Sequence, residues 1–266
     1  MESHQPWRGY MPPFKIWGNV YFVGTEPAST HIIDTGAGLI MLDSGYQHSL
    51  YLVLQNMYSL GLDPMNIKYI VHTHGHVDHC GATRALVEMT GAKTFLGAPD
   101  RDYVNGTLDL SWAKELGVHL KTFEPDILVY DGDVISLGNT KIKAVATPGH
   151  TPGAMSYIFN VNGDSKELIA GLHGGAGINT LKKEFLDQYS LSYSCRMDYI
   201  ASMDRLKELN VDIYLGNHAY QNQTEAKYQR LLQGNKEAFV DPSAWGNFAE
   251  SCKDNLYRLM EEENEK

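Results

Sequence analysis

Apolar and polar positions along the chain follow two periods in turn. Short runs of apolar, often β-branched residues at 14–16, 19–23, 31–34, 39–43 and 67–71 read as strands. Leu50, Val53, Leu54, Met57 and Leu60 recur at i, i+3, i+4 and i+7, the stripe of an amphipathic helix that Gly61 ends. The alternation continues with a helix over 82–90, a strand over 93–96 and a short helix over 99–104. Residues 105–121 are irregular; Trp112 and Leu116 anchor a loop placed to overhang a site. A tight turn at Asp131-Gly132-Asp133 precedes strands over 141–146, 155–161 and 167–170, the last two joined by a turn at 162–164. A glycine-rich loop over 171–177, a helix over 193–209, a strand over 212–215 and helices over 224–232 and 242–262 complete the chain. Strands and helices interleave in two similar halves, and no linker divides them. The pattern predicts an α/β fold, a four-layer αββα sandwich, with residues 1–266 as one domain.

Composition narrows the function more than the fold. The 266 residues carry 32 acidic against 22 basic side chains, a net charge of −10, and no basic run offsets it. Nucleic acid is therefore not an expected partner. Part of the acidic excess sits at 261–265, which reads as a solvated, frayed helix end. The cysteines, at 80, 195 and 252, imply no disulfide framework, though Cys195 and Cys252 are left open as a single pair. No apolar stretch reaches the ~20 residues that span a bilayer, so no membrane association is expected. Residues 1–13 hold no apolar run of the signal-peptide kind. A cytoplasmic location is expected, with export and a leader absent from this sequence as the alternative.

The chemistry concentrates in His72-Thr73-His74-Gly75-His76-Val77-Asp78-His79-Cys80-Gly81. Side chains at i and i+2 of extended chain point the same way, so His74 and His76 converge just beyond the 67–71 strand. Asp78 and His79 fall where the chain curls into the next helix and approach from another side. Three imidazoles and a carboxylate within six residues suit zinc. His150 and His218 each follow a strand as well, and strand ends share one edge of such a sandwich.

These residues resemble those of the metallo-β-lactamase-fold hydrolases. The resemblance rests on His-x-His-x-Asp-His at 74–79, Thr-Pro-Gly-His-Thr-Pro-Gly at 147–153, Leu-Asp-Ser-Gly at 42–45 and the late His218. One branch, the class B3 metallo-β-lactamases, is most similar. It shares Asn-Val-Tyr-Phe-Val-Gly-Thr at 19–25, Thr-Gly-Ala-Lys at 90–93, Asp-Gly-Asp at 131–133 and Ala-Phe-Val-Asp-Pro at 238–242.

The resemblance implies two zinc ions per chain, one on His74, His76 and His150 and one on Asp78, His79 and His218. Asp78 and His218 would then act in catalysis as well as in ligation. Asp43 would brace a ligand imidazole; as a bare residue it equally reads as the cap of a local turn. His173, Gly174 and Gly175 would face the substrate. Relatives in the wider superfamily place a metal-bridging aspartate where this chain has Leu172, and class B3 enzymes lack that bridge. Leu172 is accordingly expected beside the metals. The implied activity is the opening of a β-lactam or related cyclic amide by a zinc-bound hydroxide. Its alternatives are a housekeeping dinuclear-zinc hydrolase of a lactone or thioester, and a metal-binding or redox module on the same fold. His72 reads as a packed strand residue and Cys80 as a buried thiol, while His4, His31, His48 and His119 read as surface or hydrogen-bonded side chains.

Overall fold

The computed structural model describes residues 5–163 and 166–264. His4, Glu265 and Asp164 of the expected 162–164 turn lie outside them. The strands form two sheets. The first, in order along the chain, holds β1 (Phe14–Trp17), β2 (Val20–Phe22), β3 (His31–Asp34), β4 (Leu39–Leu42), β5 (Ile67–Val71), β6 (Lys93–Gly97) and β7 (Ile127–Val129). Pairing is antiparallel from β1 to β4 and parallel from β4 to β7. The second holds β8 (Val134–Leu137), β9 (Thr140–Ala146), β10 (Met155–Asn162), β11 (Glu167–Leu172) and β12 (Ile213–Leu215), in the spatial order β12-β11-β10-β9-β8. The β11–β12 pairing there is parallel and the others are antiparallel. The turn at Asp131-Gly132-Asp133 lies between β7 and β8; neither flanking strand was expected from the pattern.

Alternation within each strand builds the layers. In β4 all four residues are buried because both faces are covered. Ile40 and Leu42 enter the core between the sheets, with Phe22 and Val71 on one side and Ile142, Tyr157, Ala170 and Leu172 on the other. Leu39 and Met41 face the opposite way, onto helices α1 (Leu50–Ser59) and α3 (Thr83–Thr90), with the short α2 (Val77–Cys80) preceding α3. Two one-turn helices, α4 (Arg101–Val104) and α5 (Ala113–Leu116), and α6 (Lys183–Gln188) stand in the connections. On the far face of the second sheet, α7 (Ser194–Lys207) and α9 (Pro242–Asn264) pack Tyr199, Met203 and Leu206 with Trp245, Ala249 and Leu256 against Tyr214. The helix α8 (Thr224–Leu232) lies between β12 and α9 in the chain. The result is the expected four-layer αββα sandwich. Helix α9 continues through Glu261, Glu262 and Glu263 to Asn264 and does not fray before them.

Two expectations are corrected by this packing. Leu172 is fully buried in the core between the sheets, paired with Tyr157 and Leu215, and does not wall the metal cavity. His31 is no surface residue: it is buried edge-on to Phe22, its Nδ1 has no hydrogen-bond partner, and burial pushes it down to about 4. Cys195 and Cys252 are free thiols. Among the described residues no helix is long and apolar enough to cross a membrane.

Candidate metal centre

The C-terminal ends of β4 and β5 lie on one edge of the first sheet, since those strands are parallel. In the second sheet β9 and β12 both run with β11, so their ends also share an edge. The histidines follow these ends. His74 and His76 stand beyond β5, His150 beyond β9 and His218 beyond β12. The His150 turn needs Gly149, whose φ is +139° and where a Cβ would lie 2.5 Å from Tyr199. Gly175 leaves the room that the His150 ring fills, because a Cβ there would come within 1.8 Å of it.

Two sets of donors result. His74 Nε2, His76 Nδ1 and His150 Nε2 lie 3.0–3.2 Å from one another. Three nitrogens on a tetrahedral zinc at 2.0–2.1 Å would stand about 3.3 Å apart, so the set has the span of a zinc site. The outer ring nitrogens fix the tautomers. Thr73 Oγ1–H donates to Asp43 Oδ2, so it accepts from His74 Nδ1–H at 3.0 Å, leaving Nε2 bare. His150 Nδ1–H donates to the Gly177 carbonyl at 2.6 Å, which bares its Nε2 likewise. Burial, then the neighbouring imidazoles, hold His74 and His76 well below the usual histidine range, and burial pushes His150 down to about 4. At neutral pH the bare Nε2 lone pairs of His74 and His150 thus meet His76 Nδ1 around one point, an arrangement that a cation satisfies.

The second set surrounds Asp78. Its Oδ2 lies 3.1 Å from His79 Nε2 and 3.7 Å from His218 Nε2. Burial opposes ionisation of Asp78, but the hydrogen-bonded His79 ring outweighs it and holds the carboxyl far below its usual range. His79 is buried too, yet Asp78 and Asp43 on either side raise it to about 10. His218 donates Nδ1–H to the Pro27 carbonyl at 2.5 Å, turning Nε2 inward. His74 also lies within 4.8 Å of the ligand atoms of Asp78 and His79, so the two sets adjoin.

Asp43 sits beneath both. Its backbone is left-handed, with φ +55°, a strained conformation for a non-glycine residue. That pose lets one carboxylate accept Thr73 N–H at 2.7 Å, Thr73 Oγ1–H at 2.8 Å and His79 Nδ1–H at 2.8 Å. It thus holds the His79 imidazole and the Thr73 backbone together, which is more than the cap of a local turn.

Comparison with known proteins bears on this geometry. The model of the metallo-beta-lactamase superfamily matches residues 23–218, most of the chain. The chain belongs to the metallo-beta-lactamase superfamily. Its fold is similar across 98% of both chains to BJP-1, a subclass B3 metallo-beta-lactamase of Bradyrhizobium japonicum, at TM-score 0.90 and 26% identity. Native FEZ-1 metallo-beta-lactamase from Legionella gormanii is similar at TM-score 0.88 and 27% identity, over 96% of this chain and 97% of that one. Curated relatives include the N-acyl homoserine lactonase AttM of Agrobacterium fabrum, 22% identical over 86% of this chain and 83% of its own length. Shorter stretches match an uncharacterized protein of Aquifex aeolicus, 37% identical over 32% of this chain and 39% of that protein. The hydroxyacylglutathione hydrolase of Maricaulis maris is 35% identical over 37% of this chain and 31% of its own length. The chain thus belongs to a superfamily of hydrolases, and its His and Asp groups could hold a metal.

The metallo-beta-lactamase site opens into a cavity of about 370 Å³. His74, His76, Asp78, His79, His150 and His218 all line it, together with Gly175. His173 and Gly174 do not. The buried His173 ring stacks on Phe248 at 4.7 Å, Nδ1–H donates to Gly174 O, and Nε2 meets Gln221, so it is packed beneath the cavity lining instead of facing the cavity as expected. Gly174 is closed off by Thr147, Ala154 and Met155. His72 spans Phe95 O and Thr83 Oγ1 as a packing residue, and Cys80 points its thiol at His76 O.

Sequence reasoning missed Asp100 and the mouth of the cavity. Asp100 follows Gly97-Ala98-Pro99 and has the look of a helix cap, so nothing local marks it. Its fully buried carboxylate ties the 74–76 loop to the 150–153 loop. The mouth is formed by Trp112 and Leu116, as the overhanging loop suggested, and by Glu26, Tyr46, Asn179, Tyr220 and Gln221, which no motif carried.

Proposed function

We propose that this protein is a dinuclear zinc hydrolase of the class B3 type, opening a β-lactam or a related cyclic amide. The observation that carries the proposal is the pair of adjoining donor sets, three converging imidazole nitrogens in one and Asp78, His79 and His218 in the other, lining a single cavity. His74, His76 and His150 would hold one zinc and Asp78, His79 and His218 the other. Bound zinc supplies Lewis acidity and brings the pKa of water from near 16 to roughly 7.

The chain's own groups do the rest. Asp43 and the carbonyls of Pro27 and Gly177 lock the ligand tautomers, so the donor array is set before substrate arrives. Asp78 brings negative charge to the second set and, held ionised, accepts a hydrogen bond from the attacking water and so orients it. Trp112 stands 5.9 Å from the His76 ring and shields that side from bulk water. The Asn179 and Gln221 amides line the cavity where a substrate carbonyl or ring heteroatom would lie.

A specific observation favours a second reading, a lactone or thioester substrate. Among the described residues lining the cavity there is no lysine or arginine, and Glu26 stands at its mouth. The carboxylate that a β-lactam carries would therefore meet no cationic side chain. A panel of β-lactams, lactones and thioesters on zinc-loaded protein separates the readings. β-Lactam turnover at least as efficient as that of the others supports the first, turnover of lactones or thioesters alone supports the second, and turnover of none contradicts both.

A further inference from the structure

A second cavity, of about 230 Å³, adjoins the metal centre without belonging to it. It shares His76, His150 and Thr180 with the metal cavity, whereas Asp78, His79 and His218 do not reach it. It therefore lies on the flank of the first donor set. Tyr103, Leu110, Pro152, Phe185, Leu186 and Leu191 form its apolar walls. Polar side chains gather on the helix α7 side, at Ser192, Ser194 and Asp198. The Trp112 ring, which walls the metal cavity, packs at 5.0 Å on Phe185, which walls the smaller one.

The cavity is partly open to solvent, with Pro152, Ser192, Ser194 and Asp198 exposed at its edge. A water held in it needs two to four polar partners, which carbon walls do not provide. A space of this size and lining suits an apolar guest. At the ~30 Å³ that one water-sized group occupies, it takes about seven or eight non-hydrogen atoms.

We propose that this cavity holds the apolar arm of the substrate: an unbranched acyl or aryl-alkyl group of about seven carbons attached to the scissile carbonyl. The inference rests on the hydrolase reading above and extends it to a substrate class. The carbonyl lies at the metals among the polar groups of the larger cavity, and its arm passes the His76–His150 flank into the smaller one. Asp198 at the polar end disfavours an arm that terminates in a carboxylate. The substrate is thus amphipathic, with a polar or cyclic head and an uncharged tail.

The test reads binding rather than turnover. Calorimetric titration of zinc-loaded protein with acetamide, butanamide, hexanamide and octanamide should give affinity rising about three- to fourfold per methylene before levelling off near seven carbons. An octanamide ending in a carboxylate should bind more weakly than octanamide. In Leu191→Trp, which fills the cavity, the dependence on length should vanish. Affinity independent of length in the unaltered protein overturns the proposal, and so does a length dependence that persists in folded Leu191→Trp. Length-dependent binding without hydrolysis of any lactam, lactone or thioester leaves the cavity assignment standing and removes the hydrolase reading. Hydrolysis without length dependence does the reverse.

Discussion

The Gly75 amide donates to Asp100 Oδ2 at 2.8 Å, from between the two histidines that begin the first donor set. The same oxygen accepts Thr151 Oγ1–H at 2.6 Å, and Oδ1 accepts Gly153 N–H at 2.7 Å, from the loop that carries His150. One buried carboxylate thus clamps the two loops that must agree for His74, His76 and His150 to converge. Gly75 and Gly153 are glycines for the same reason, since a Cβ at either would press on Asp100. Asp100→Ala leaves three buried donors unpaired and should destabilise the fold by about 3 kcal/mol, at 1–3 kcal/mol for each buried group left unsatisfied and with partial relaxation. It should also weaken zinc binding at the first set by about 10–100-fold. Denaturant titration together with a competitive zinc chelator measures both, and unaltered zinc affinity in the folded variant would contradict the clamp.

Asp100 also predicts a pH dependence. Burial raises its carboxyl from 3.8 to about 6, against the pull of the Thr151, Gly75 and Gly153 hydrogen bonds. The folded state therefore holds the proton more tightly than the unfolded chain. Its contribution to stability is full below about pH 4 and is lost as pH rises through about 6. The non-titrating Asp100→Asn variant lacks this term. The stability of the natural protein relative to that variant should fall between about pH 4 and 6 and stay level above, as denaturant midpoints across the range will show.

His218→Ala should remove the second metal and leave the fold intact. The ring is partly exposed, stacks on the exposed Tyr220 at 5.6 Å and is held by one bond to Pro27 O, so little packing is lost. Zinc content should drop from two to one per chain, hydrolysis should fall by 100-fold or more at the order of magnitude expected for loss of a catalytic group, and the circular dichroism spectrum should not change. Two tightly held zincs in the folded variant would show that His218 is not a ligand.

Leu172→Asp should unfold the protein rather than retune its metals. A carboxylate there would enter the core among Tyr157, Ile142 and Leu215 with no partner. An unpaired buried charge is worth a loss of several kcal/mol. Insoluble or molten protein is the expected outcome on expression. A stable variant with tighter second-site zinc would mean that the position reaches the metals after all.

Much of this was legible in the residues. The strand ends, the His-x-His-x-Asp-His spacing and the late histidines each carry a local signal, because period-two alternation and short ligand spacings act within a few residues. What escaped depends on contacts far apart in the chain. Asp100 bonds to Gly75 and Gly153 across 25 and 53 residues. His173 follows a strand as His218 does, yet packing against Phe248 turns it inward, a difference that spacing cannot express. Leu172 shows the same limit: its place after Gly171 suggested the metals, and the inter-sheet core claimed it. Strands β7 and β8 were missed because each is short and largely exposed along one face.

The central claim is a centre of two zinc ions that performs hydrolysis. Protein stripped of metal should be titrated with zinc while the opening of the best substrate in the lactam, lactone and thioester panel is followed. Activity should be absent without zinc, and the rate should saturate at two equivalents per chain. Saturation at a single equivalent, with no further change in excess zinc, would contradict it.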